Sequence, residues 1–157
     1  MSNDYTALRR EYVAKALQNG AAAILTDAAG AALAHQGASG VVKARMDGMG
    51  VQQTAMKTLG AMARGQADFD AETAAAAFVT VAEAGRHVPA QFEVQDLSAP
   101  SEALPAIWEN WDDFVAKSEA MVRAADVAPA DLAELRAGLG AVGQTCSACH
   151  EVYREPQ

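Results

Sequence analysis

Residues 132–154 read "LAELRAGLGAVGQTCSACHEVYR", and their apolar side chains fall on one stripe. Leu132, Leu135, Leu139, Val142, Cys146, Cys149 and Tyr153 follow one another in steps of 3, 4, 3, 4, 3 and 4. That alternation averages about 3.5 residues, the repeat of a helix that offers a seam to partner helices, and it excludes the period of two expected of a strand. The only two cysteines of the chain lie on this seam, and His150, four residues after Cys146, lies beside it. Whatever these three residues hold is therefore held between helices.

Working back from that seam, three more helices are expected. Helix A runs from about Ser39 to Arg64 and carries Val42, Met49, Met56, Leu59 and Ala63 on one side. Helix B spans about 71–87, with Asp70 as its N-cap and a thin face of Ala74, Ala77, Val81, Ala84 and Val88. Proline, serine and acidic residues from Pro89 to Ser101 mark a loop. Helix C starts at a Ser101 cap and shows Leu104, Ile107, Trp111, Phe114, Ser118, Met121 and Ala125, ending before Pro129. Two short connections and one longer one suit an all-α, antiparallel four-helix bundle.

The bulk properties agree. Apolar residues make up 51% of the 157-residue chain, enough for one domain with a substantial core. A net charge of −8 with no basic cluster excludes nucleic acid as a partner and favours small molecules or cationic proteins. No apolar run reaches the roughly 18 residues of a membrane-spanning helix, so no membrane insertion is expected.

The N-terminus carries a separate signal. Arg9, Arg10 and Lys15 precede a small, apolar stretch, residues 20–34, that ends in Ala32-Leu33-Ala34. This is the layout of an export signal cleaved after Ala34, although Asp27 interrupts it. The expected domains are thus residues 1–34 as the signal and 35–157 as the bundle. The competing reading is an additional amphipathic helix carrying Leu8, Tyr12 and Leu17.

Three chemistries fit "CSACH", residues 146–150. A redox dithiol needs the N-terminal end of a helix, where the dipole lowers a thiol pKa, and here the pair is near a C-terminal end. A structural zinc site needs four ligands, and His35 and His87 stand at no zinc-site spacing. Covalent haem needs two thiols for the vinyl groups and an adjacent histidine for the iron, and all three are present. The residues favour haem c, one per chain.

Together, "KARMDGMG", "RGQADFD", "IWENWDDF" and "GQTCSACHEVYR" resemble the cytochromes c′, from about residue 39 to the end. The resemblance implies that Cys146 and Cys149 are thioether anchors and that His150 is the axial iron ligand. It also implies that Arg45 lies near a haem propionate, that Met49 covers the opposite face, and that Arg154 lies on the histidine side. A seam arginine such as Arg45 calls for a buried anion.

Function follows as expectation: a periplasmic haem protein with five-coordinate iron, in electron transfer or in binding nitric oxide and carbon monoxide, and not an enzyme. Electron donor and acceptor proteins, diatomic gases and a second copy in a homodimer are the implied partners. A six-coordinate electron carrier closed by Met49 is the alternative, since Met46, Met56 and Met62 share its helix. A thiol-disulfide oxidoreductase without haem is the remote one.

Overall fold

The computed structural model describes residues 37–156, so the expected export segment and His35 lie outside the described residues. Five helices follow in order: α1 (Gly40–Ala63), α2 (Ala71–Phe92), α3 (Ala106–Glu109), α4 (Trp111–Ala124) and α5 (Leu132–Tyr153). The four long ones close a ring, α1 against α2, α2 against α4, α4 against α5 and α5 against α1. The architecture is the expected four-helix bundle, with α3 lying against α4 and α5.

Local chemistry sets the ends of these helices. Gly65 takes a left-handed φ of 69°, which lets the chain turn out of α1 with its N–H on Met62 O. The last carbonyl of α1, on Ala63, accepts from Arg136 Nε of α5 at 2.9 Å, a cation at the negative end of a helix. Asp70 caps α2 as expected, its carboxylate accepting from Thr73 N–H at 2.7 Å. Asp131 does the same for α5, accepting from both Ala133 and Glu134.

Two boundaries differ from those expected. Helix α2 does not stop at residue 87 but runs through Pro89 to Phe92. Pro89 has no N–H to give the carbonyl four residues back, on Gly85. That carbonyl is served from across the bundle instead, where the buried Ser118 hydroxyl of α4 donates to Gly85 O at 2.9 Å. Ser118→Ala is expected to leave a buried acceptor unpaired at about 1–3 kcal/mol. In urea its unfolding midpoint should fall with an unchanged m value. Helix C, for its part, is not capped by Ser101. Ser101 Oγ accepts from Ala103 within the loop at 3.3 Å, and the helix forms as α3 and α4 with Asn110 between them in a non-helical conformation.

The core divides into two clusters. One, with Leu59, Phe78, Val81, Leu135 and Val142 fully buried, fills one part of the bundle. The other gathers Val88, Phe92, Ile107, Phe114 and Tyr153 around Cys149. Gly138 allows α5 to approach closely, since a Cβ there would stand 2.9 Å from the Phe78 ring. The expected seam of α5 is the observed one, with Leu135, Val142 and Tyr153 buried and both cysteines half-buried.

Candidate haem site

A cavity of about 470 Å³ opens between α1, α4 and the C-terminal half of α5. Its size is within the range of about 300–1,000 Å³ common for cofactor sites. Cys146, Cys149 and His150 line it from α5, and Met46, Met49 and Met56 line it from α1. Ser147 and Ala148, between the cysteines, face outward and are exposed. A helix with two cysteines three apart thus presents both thiols to one hollow.

The two thiols are not joined to each other. Burial pushes both up from the ordinary cysteine range, most of the effect coming from lost solvation. A reactive thiol needs the opposite shift, so the dithiol-enzyme reading loses its physical basis here. Burial also lowers His150, the Arg154 charge lowers it further, and the Glu102 carboxylate pulls the other way. The shift favours the neutral imidazole, the form whose nitrogen lone pair a metal takes. Among the described residues no three His, Cys, Asp or Glu side chains gather to hold a bare metal ion, as zinc would require.

Arg45 lines the cavity and is held by main-chain groups as well. Its guanidinium is buried, 4% exposed, as the seam position implied. Backbone carbonyls accept from it: Nε donates to Gln91 O at 2.9 Å, Nη1 to Asp96 O at 2.6 Å and Nη2 to Val94 O. The plane lies over the Phe92 ring, 4.2 Å from its centroid, and Trp108 stands on a further side at 5.7 Å. Carbonyl dipoles at the C-terminal end of α2 and two aromatic faces meet the charge. Burial pulls its pKa down and Asp96 resists that shift.

Other predicted residues divide between cavity and surface. Met49 packs against the Phe92, Ile107 and Phe114 cluster, its Sδ 4.0 Å from Gln52 Nε2. Arg154 lines the cavity with its Nε buried and without a hydrogen-bond partner, an orphaned donor in a site made for a larger occupant. His87 is exposed on α2 and does not line the cavity.

Sequence reasoning missed Lys117, Asp113 and Glu102. Lys117 lines the cavity 3.5 Å from Asp113, and Asp113 accepts a 2.6 Å hydrogen bond from the Tyr153 hydroxyl. No stripe of apolar spacing points to these polar groups. Tyr153 was legible as a seam residue, and its phenol is pushed up to about 12 by burial and by Asp113.

This shift has a sign that can be checked. An ordinary tyrosine titrates near about 10, so the fold favours the neutral phenol. Its contribution is complete below that value and is lost as pH rises through about 12. Unfolding followed by circular dichroism should show stability falling over this window, and Tyr153→Phe should fall less steeply there. Parallel curves for the two proteins would contradict the assignment.

A hollow walled by apolar groups, with two thiols and an imidazole on one side and a buried orphan donor at its edge, fits a covalently held haem. The comparisons agree with that fit, because residues 40–154 match the Cytochrome C' family. The chain belongs to the cytochrome c′ family.

Among its relatives is cytochrome c-556 of Agrobacterium tumefaciens (strain apple 185), 41% identical over 100 residues, which covers 61% of this chain and 79% of that one. A cytochrome c' of Rhodopseudomonas palustris is 34% identical over 104 residues, covering 64% and 71%. In three dimensions the chain is similar to cytochrome c' from Rhodopseudomonas palustris at a TM-score of 0.71 and 27% identity, covering 76% of this chain and 99% of that one. It is also similar to a structure of oxidized R. palustris cytochrome c556, at 0.68 and 26%, covering 74% and 97%. Cytochromes c′ carry covalently attached haem c and form a haem class of electron carriers and gas binders. Among the described residues no helix is long and apolar enough to cross a membrane.

Proposed function

We propose that this cytochrome c′ family member is an exported one-electron carrier. Cys146 and Cys149 would hold the haem by thioethers, His150 would ligate the iron, and a methionine of α1 would supply a second ligand. The haem supplies a ferric/ferrous couple, and a histidine with a methionine raises its potential. The observation that carries the reading is the wall facing the cysteine helix, where Met46, Met49 and Met56 bring three thioethers to one cavity. The seam puts Met49 and Met56 on this side of α1, and the expectation of an open iron comes from the family resemblance. The chain residues bind and orient the group, and the apolar walls exclude water from it.

The open, five-coordinate reading retains one specific support. Met49 is already engaged, packed in the Phe114 cluster with its sulfur near Gln52. If all three thioethers are spoken for in this way, the site admits nitric oxide and carbon monoxide. The ferric absorption spectrum separates the two readings. A sulfur-to-iron charge-transfer band at the red end, with no change on adding carbon monoxide to the reduced protein, is the expected result. Single replacements of Met46, Met49 and Met56 by leucine should then abolish the band in one variant only. Absence of the band in the unmodified protein, with ready carbon monoxide binding, establishes the gas-binding reading instead.

We place the working protein in the periplasm, with residues 1–34 removed. Support comes from the charged, apolar and A-x-A order of the N-terminus. N-terminal sequencing of the periplasmic protein should begin at His35, and a start at Ser2 would contradict removal. With a net charge of −8 for the full chain, cationic electron-transfer proteins are the fitting partners. A homodimer through α1 and α2 belongs to the same reading and is supported by Val51, which α1 leaves 48% exposed.

A further inference from the structure

The C-terminal end of α5 is paired with a short strap. Leu104 N–H donates to Tyr153 O at 3.0 Å, Glu155 N–H donates to Glu102 O at 2.8 Å, and Ala103 pairs antiparallel with Arg154. The strap runs directly into α3, whose Ile107 is 1% exposed, so its place is fixed by the core. It thereby brings Glu102 to the cavity wall beside His150 and Arg154. Among the described residues that line this cavity, Glu102 is the only carboxylate, against the cations Arg45, Lys117 and Arg154.

A histidine that gives one ring nitrogen to a metal keeps a second ring N–H, and that N–H is almost always donated to a carboxylate, a carbonyl or water. Carbonyls inside a helix already accept along the helix, and His150 lies inside α5. We propose that Glu102 is a positioning residue for the iron ligand, its carboxylate taking the free imidazole N–H of His150. The contact fixes the orientation of the ring and makes the imidazole a stronger donor to iron, which favours the ferric state. Arg154, next to His150 on the same wall, opposes that effect, and the pair of charges sets the level between them.

The inference rests on the haem reading above, and its test separates the two. In the haem-loaded protein Glu102→Gln keeps the backbone pairing of the strap, because that pairing uses only main-chain atoms. Glu155→Gln removes the same charge from an exposed neighbour and serves as the control. Spectroelectrochemical titration should show the reduction potential of Glu102→Gln raised well above that of Glu155→Gln, at equal haem content, with Glu102→Asp returning part of the shift. Equal shifts in the two glutamine variants, or none, would overturn the role of Glu102. A colourless unmodified protein would overturn the haem reading itself.

Discussion

Replacing Cys146 and Cys149 together by alanine is expected to abolish covalent haem. When the chain is produced alongside haem-attachment machinery, acid acetone should strip all colour from the double variant and leave the unmodified protein red. Both thiols line one cavity, they are unjoined, and burial raises both, the opposite of the shift a redox nucleophile needs. Each single alanine variant retains one thiol and should keep a fraction of the colour after extraction. An oxidoreductase would behave otherwise, giving a colourless unmodified protein whose two thiols titrate, and activity lost in either single variant.

Arg45→Met should destabilise the fold more than Ser118→Ala or Tyr153→Phe. The guanidinium serves three carbonyls, on Gln91, Val94 and Asp96, and so ties α1 to the end of α2 and to the segment beyond it. Hydrogen bonds to a charged group contribute about 1.5–3 kcal/mol each and do not add fully. Part of this cluster can reach water once the arginine is gone, which limits the net loss to about 2–4 kcal/mol. Thermal unfolding should come about 10 °C earlier, for a folded part of this size. Arg45→Lys keeps the charge but cannot span three acceptors, and should fall between. A residue whose main partner is a haem propionate would show the reverse pattern, a shifted reduction potential with little loss of stability.

The helix that carries the chemistry was legible in the sequence almost residue by residue. Leu135, Val142 and Tyr153 are buried where the alternation of threes and fours put them, because a seam against neighbouring helices is a one-dimensional property of the chain. The stripe of α4 read equally well, with Phe114, Ser118, Met121 and Ala125 all buried. What escaped the sequence depends on partners distant in the chain. Pro89 reads as a stop until Ser118, 29 positions later, is seen to satisfy the carbonyl it orphans. The carbonyl partners of Arg45 lie at and beyond the end of α2, the first of them 46 positions away, so its own helix gives no sign of them. Glu102 carries no signal of its own, since only the pairing of the strap with residues 153–155 brings it to His150.

The helix A seam was offset for a related reason. Arg45 and Gln52 are more deeply buried than Met49 and Met56, which a reading of apolar periodicity alone cannot anticipate. Arg45 reaches carbonyls at and beyond the end of α2, and Met46, Met49 and Met56 line the cavity from the same helix. Arg45 lines the same cavity as these three thioethers and His150.

Mass spectrometry of the tryptic peptide from Ala137 to Arg154 tests the central claim most directly. In protein purified after haem attachment, that peptide should carry the mass of one haem, with fragmentation placing it on Cys146 and Cys149. The bare peptide mass, or a mass two hydrogens lower from a bond between the two cysteines, would contradict it.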